Sequence, residues 1–203
     1  MPDLAPSLPC GLEQFHGPSR VGSAGEPGVT LSLRDGVALA AIIGREGKIG
    51  QLRDRFQDSI GIALPLTAKR IDSDALSVVW AGPGRWLAVA AYEAGGSLEK
   101  TLRSFSSGLA SIVDQSDGQC IFRVSGPSAR DALSKGLPID LDPRTFGPGD
   151  TAMTLAGHIN VHLWQIDLAP TYELSVFRSL SKSFCDWFIE VSSGYGVQMY
   201  GAE

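Results

Sequence analysis

Apolar positions along the chain fall into four helical stripes separated by runs of β-suited residues. Ile49, Leu52, Phe56 and Ile60 recur at spacings of 3, 4 and 4, which predicts a helix over residues 46–60 with one buried face. Leu98, Leu102, Phe105 and Leu109 stripe a second helix, with Ser97 placed to accept a hydrogen bond from its first turn. A third is predicted over 128–137, with Pro127 at its first position, where a missing N–H costs nothing. The fourth carries Leu180, Phe184, Trp187, Phe188 and Val191. Between them, 37–43 is β-suited, and the runs 75–80 and 86–92 flank Ala81-Gly82-Pro83-Gly84-Arg85, the signature of a hairpin. Residues 112–113 and 120–125 read as strands around an Asp117-Gly118 turn. Strands at 152–155, 160–167 and 172–177 follow a loop at 138–150.

These elements come in two sets. The stretch 97–105 is echoed 82 residues later by 179–187, and Gly44, which closes the run before the first helix, is echoed at the same offset by Gly126. Trp80 and Trp164 lie 84 apart. One order of strand, glycine, helix, tryptophan-bearing hairpin and helix, met twice, predicts a duplicated supersecondary unit. The expected architecture is α+β: two pseudo-repeated units of largely antiparallel sheet, each with helices on one face, at 37–110 and 111–203. Residues 1–36 hold five prolines and six glycines and are expected to form an extended arm whose apolar points Leu4, Leu8, Leu12 and Phe15 dock on a partner.

Composition narrows the function mainly by exclusion. A net charge of −5, with Lys69-Arg70 as the longest basic cluster, supplies no stripe to neutralise phosphates, so nucleic acid is not an expected partner. Cys10, Cys120 and Cys185 are odd in number and widely spaced, which speaks against a disulfide framework or a zinc site and suits a reducing cytoplasm. Residues 1–10 lack the pattern of a secretion signal, and no apolar run is long enough to span a membrane.

No residue cluster carries an enzymatic signature. His158 and His162 are spaced to share a metal only on a helix; in a strand four residues span about 13 Å, which separates them. The glycines at 44, 47 and 50 lack the order of a dinucleotide-binding loop and are expected to serve a helix start. Cys120 and Cys185 lie among apolar and aromatic residues that favour packing over thiolate reactivity. Asp72, Asp74, Asp114 and Asp117 flank turns, where carboxylates accept backbone amides. Trp80 and Trp86, opposed across the hairpin, suit sheet packing better than ligand stacking.

Three stretches together bear a resemblance. Trp80-Ala81-Gly82-Pro83-Gly84-Arg85-Trp86-Leu87, then 113–118 (Val-Asp-Gln-Ser-Asp-Gly), then 124–136 beginning Val124-Ser125-Gly126-Pro127, resemble the gamma subunit family of heterotetrameric sarcosine oxidase, and the similarity continues through 138–143 to Leu163-Trp164. The resemblance implies a complex that oxidatively demethylates sarcosine to glycine and passes the one-carbon unit to tetrahydrofolate. It further implies alpha, beta and delta subunits as partners, with FAD, FMN, NAD and zinc held by those subunits and none by this chain. The implied fold is that of the folate-binding aminomethyltransferase of the glycine cleavage system.

One departure from that kinship bears on chemistry. Where aminomethyltransferases place an acidic residue, the similar stretch here reads His158-Ile159-Asn160-Val161-His162, and asparagine can neither ionise nor accept a proton as a carboxylate does. The expectation is therefore a scaffold without catalytic, cofactor or metal residues of its own. Its partner contacts are expected at Leu4, Leu8 and Phe15 of the arm, Trp80 and Trp86 of the hairpin, and Phe146 of the 138–150 loop. A stand-alone folate-dependent one-carbon transferase and an unrelated adaptor remain the alternatives.

Overall fold

The computed structural model describes residues 19–93 and 97–201. Its strands are β1 (Ser19–Val21), β2 (Val29–Leu33), β3 (Val37–Gly44), β4 (Arg70–Asp72), β5 (Ser77–Gly82), β6 (Arg85–Ala91), β7 (Ala110–Asp114), β8 (Gln119–Ser125), β9 (Thr151–Ala156), β10 (Ile159–Asp167), β11 (Thr171–Phe177) and β12 (Val197–Tyr200). Four helices join them: α1 (Ile49–Ile60), α2 (Leu98–Ser106), α3 (Ala129–Ser134) and α4 (Ser181–Ser192). Five strands form one sheet in the order β4-β5-β6-β3-β7, and seven form another in the order β1-β12-β2-β8-β11-β10-β9.

The duplication is explicit in these orders. Matching β3-α1-β4-β5-β6-α2-β7 to β8-α3-β9-β10-β11-α4-β12 converts the first sheet's order into the second's, with β2 wedged between β8 and β12 and β1 added outside. Pairing is antiparallel throughout except for β12 with β2. Helices α1 and α2 pack one face of the five-stranded sheet through Ile42, Leu52, Phe56, Trp86 and Leu102. Helices α3 and α4 pack one face of the seven-stranded sheet through Phe122, Leu133, Leu163, Phe184 and Phe188. The two remaining faces meet through Leu39, Val79, Leu87 and Val89 on one side and Ile121 and Trp164 on the other. The result is four layers, helices outside and sheets within.

Several expectations need correction. Residues 19–33 contain β1 and β2 rather than a continuation of the arm; β2 is short, but its amides and carbonyls are satisfied by β8 and β12 at once. Leu4, Leu8 and Phe15 lie outside the described residues. β7 and β8 do not form a hairpin: Ile112 is buried with α1 and α2, so β7 pairs β3 and completes the first sheet, and sheet membership changes after Asp114, not at 110. Helix α3 begins at Ala129, two residues past Pro127. Trp80 and Trp164 are not equivalent, because Trp80 packs toward the helices and Trp164 toward the opposing sheet.

The echoed glycines are both close-approach points. A Cβ on Gly44 would sit 2.3 Å from Ile49 Cδ1, so its absence lets α1 close onto β3. At Gly126 a Cβ would meet the Gly28 carbonyl at 2.6 Å, and φ of 112° further selects glycine. On the echoed helices, Leu102 and Phe184 are both fully buried, and Ser97 caps α2 by accepting from the Lys100 amide at 3.3 Å.

Candidate partner interface and buried polar clusters

The hairpin expected to contact a partner is built on the two-residue turn Pro83-Gly84, with φ of 68° at Gly84. Its tryptophans separate. Trp86 is 1% exposed and its indole N–H donates to the Pro65 carbonyl at 2.7 Å, so it anchors the 61–69 segment from within the core. Trp80 is half-buried against the same core. Phe146 is 7% exposed and packs with Leu137 and Leu141 beneath the 138–150 loop. That loop is fixed by its carboxylates: Asp142 receives the Arg144 amide and both ends of its guanidinium, and Asp150 receives the Gly147 amide. Arg144, itself exposed, holds the half-buried Asp142 carboxyl below the usual range. Trp86 and Phe146 thus serve the core, leaving Trp80 with accessible area.

The histidines are placed apart in environment. His158 is exposed in the β9–β10 turn, while His162 is buried on β10. His162 Nε2 lies 3.0 Å from the Trp80 carbonyl and 2.9 Å from Thr151 Oγ1, whose own hydrogen goes to the Leu163 carbonyl at 2.8 Å. Both neighbours therefore accept, which assigns the proton to Nε2. Burial pushes the imidazole pKa down to about 4, only partly opposed by the Trp80 carbonyl. The ring stands edge-on to Trp164, with centroids 5.4 Å apart. A neutral histidine bonds one repeat to the other, and among the described residues no group of three or more potential metal ligands is assembled.

Sequence reasoning missed the second cluster. Glu173, 1% exposed on β11, receives Arg34 at 3.0 Å and Arg123 at 2.7 and 3.2 Å on Oε1, and the Trp164 indole N–H at 2.8 Å on Oε2. Register explains the convergence: Trp164, Glu173 and Arg123 are direct cross-strand neighbours on β10, β11 and β8. The available signal was one acid inside the apolar run 172–177. Both oxygens are engaged by protein donors, which leaves this carboxylate turned inward. On the helix-facing side, Gln165 and Tyr172 are cross-strand partners. Among the described residues Gln165 Oε1 is buried without a hydrogen-bond partner, and the Tyr172 hydroxyl is buried beside Arg130, whose pull only partly offsets the rise in phenol pKa that burial causes.

Of the turn aspartates, Asp114 accepts the Ser116 amide at 2.9 Å as expected, while Asp72 instead takes side-chain partners, the Arg70 guanidinium at 2.7 Å and the Ser77 hydroxyl. Cys120 and Cys185 are buried in the larger core. A solvent-open depression of about 500 Å³ between α1 and the end of α2 is lined by Gln51, Asp54, Arg55 and Asp58 facing Phe105 and Leu109. No described helix is long and apolar enough to cross a membrane. Asn160 is an exposed amide on β10. Asn160 cannot ionise, and both Glu173 oxygens accept hydrogen bonds from this chain's own side chains.

Two sheets face to face, each backed by helices and built by duplication, define the aminomethyltransferase type of fold. The glycine cleavage system aminomethyltransferase T from Bartonella henselae superposes on 86% of the chain and 48% of its own length with TM-score 0.63 at 11% identity, a likeness of fold. Residues 52–194 match the model of the sarcosine oxidase, gamma subunit family, and the chain belongs to that family. It is 29% identical over 109 residues to sarcosine oxidase subunit gamma from Arthrobacter sp, an alignment covering 53% of each. A chain of heterotetrameric sarcosine oxidase from Corynebacterium sp. U-96, solved with pyrrole 2-carboxylate, superposes with TM-score 0.74 at 25% identity over 86% of this chain and 88% of its own.

Proposed function

We propose that the chain is the gamma subunit of a sarcosine oxidase complex and acts there as a non-catalytic scaffold. Its partners are alpha, beta and delta subunits, which carry FAD, FMN, NAD and zinc and work with tetrahydrofolate as one-carbon acceptor. The observation that carries this reading is the family match over 52–194 on a fold that follows a sarcosine oxidase chain for most of both lengths. The inward-turned polar groups support it: His162 and Glu173 spend their hydrogen bonds on this chain's own strands. In this reading the reaction, oxidative demethylation of sarcosine, belongs to the assembled complex, whose setting is the cytoplasm.

The test is reconstitution. The full chain is purified alone and co-expressed with the other three subunits, and sarcosine-dependent peroxide formation is followed. The expected result is no flavin absorbance and no turnover in the lone chain, co-purification of all four subunits, and poor recovery of active complex when this chain is omitted. Micromolar binding of tetrahydrofolate to the lone chain, or a three-subunit complex of full yield and activity, would refute the scaffold.

A further inference from the structure

Sheet edges are open invitations to another strand, and proteins blunt them with charge, proline, brevity or cover. Three of the four edges here are blunted. β1 and β4 have three residues each and carry Arg20 or the Arg70–Asp72 ion pair. β7 ends in Asp114, and Arg103 of α2 donates to its Ile112 carbonyl at 2.9 Å. β9 differs: Thr-Ala-Met-Thr-Leu-Ala has six residues with no charge, proline or glycine, and among the described strands it is paired with β10 alone.

The direction of its free groups follows from one bond. Thr151 donates its amide away from β10, to the Ala68 carbonyl at 3.2 Å. Backbone polarity alternates along a strand, so Met153 and Leu155 present N–H and C=O outward on the same edge. Neither has a backbone partner on that side among the described residues. Their side chains are 56% and 41% exposed, and Leu66, two residues from the bonded Ala68, is 57% exposed. Exposed apolar side chains thus flank a row of unpaired amides.

We infer that β9 is a docking edge on which an extended, uncharged segment of one of the larger subunits adds as an eighth strand to the seven-stranded sheet. The unpaired backbone fixes the occupant's conformation, since only a strand satisfies alternate amides and carbonyls at one spacing. The edge's lack of charge and its exposed methionine and leucines fix the chemistry, apolar at alternate positions. This inference rests on the assembly role proposed above and adds the place of contact.

Hydrogen exchange on the full chain and on the co-expressed complex tests it. The Met153 and Leu155 amides are expected to exchange freely in the lone chain and to slow by about a hundredfold or more on assembly, while the Thr154 amide, bonded to β10, changes little. Leu155→Pro, which deletes one outward N–H, and Met153→Lys are each expected to weaken assembly by at least about tenfold. Leu168→Lys, at a position 78% exposed in the β10–β11 turn, leaves assembly unchanged. Melting curves for each variant establish that the fold persists. A complex that assembles with these two amides still unprotected overturns the docking edge and leaves the scaffold role standing. Protection already present in the lone chain, together with a dimer on gel filtration, overturns it in favour of a second copy. Failure of the wild-type chain to assemble at all overturns the scaffold role and the inference with it.

Discussion

Acidification should weaken this fold through His162. The imidazole is neutral in the folded chain, with a pKa near 4, against about 6.5 in an unfolded one. As pH falls below about 6.5 the unfolded state gains a proton that the folded state refuses, so stability drops until the folded pKa is reached and then levels off. Each pKa unit of difference is worth about 1.4 kcal/mol, giving about 3 kcal/mol in all, of which about 2 kcal/mol is lost between pH 7.5 and pH 5. Exposed carboxylates titrate over part of the same range, so the comparison is made with His162→Gln, whose amide can donate to the Trp80 carbonyl but does not titrate. Urea denaturation of both chains across this range should show the wild type's advantage shrinking by about 2 kcal/mol as pH falls. An advantage constant to within about 0.5 kcal/mol, or an NMR titration placing His162 near its ordinary value of about 6.5, would show that the ring is not held as described.

Other substitutions probe the remaining packing and polar ties. Glu173→Gln leaves two guanidiniums facing a neutral amide and should cost roughly 3 kcal/mol, with Arg34→Ala costing less because Arg123 stays engaged; equal losses in denaturant would contradict that ranking. Trp86→Ala removes a fully buried indole and should cost about 3–5 kcal/mol, well above the cost of Trp80→Ala, and a reversed order in thermal melts would contradict the deeper burial of Trp86. Tyr172→Phe removes a buried hydroxyl that faces Arg130 and should cost about 1 kcal/mol; a stabilised variant in thermal melts would mean that Arg130 does not engage the hydroxyl.

What the sequence shows plainly is whatever is decided locally. The stripes at Leu52 and Phe56 and at Phe184 and Phe188 predict their helices because the period of a buried face is a property of neighbouring residues. Strands β10 and β11 lie within a residue of their predicted ends for the same reason. Apart from the start of α3, the failures involve distant pairing. β2 is five residues among glycines and prolines, and it becomes a strand only because β8 and β12 flank it. The Asp117-Gly118 turn gives no hint that β7 and β8 leave for different sheets, since a turn specifies a reversal and not the partner. Trp80 and Trp86 sit beside an exposed turn yet face inward, and side-chain parity in a strand depends on register that one sequence does not reveal. The carboxylate of Glu173 is similarly cryptic, because its three donors come from 34, 123 and 164.

The joint between the two halves is the thinnest of the three apolar layers. Among the described residues it has 6 buried apolar side chains, against 23 beneath α3 and α4 and 13 beneath α1 and α2. Apolar contact is non-directional, so a layer this small does little to fix how the sheets lie across each other. Polar ties supply the direction. Nε2 of His162 meets the Trp80 carbonyl, Ser116 bonds the Leu39 backbone, and the Lys69–Asp150 bridge joins the 67–70 segment to the start of β9. Each tie links a strand or strand-flanking segment of one repeat to one of the other, and each requires one alignment. The last of them also sets where the free part of β9 begins, because Ala68 covers Thr151 and leaves Met153 and Leu155 open. The same bonds that orient the two sheets therefore delimit the edge offered to a partner, which makes the inter-sheet joint the place where stability and assembly are coupled.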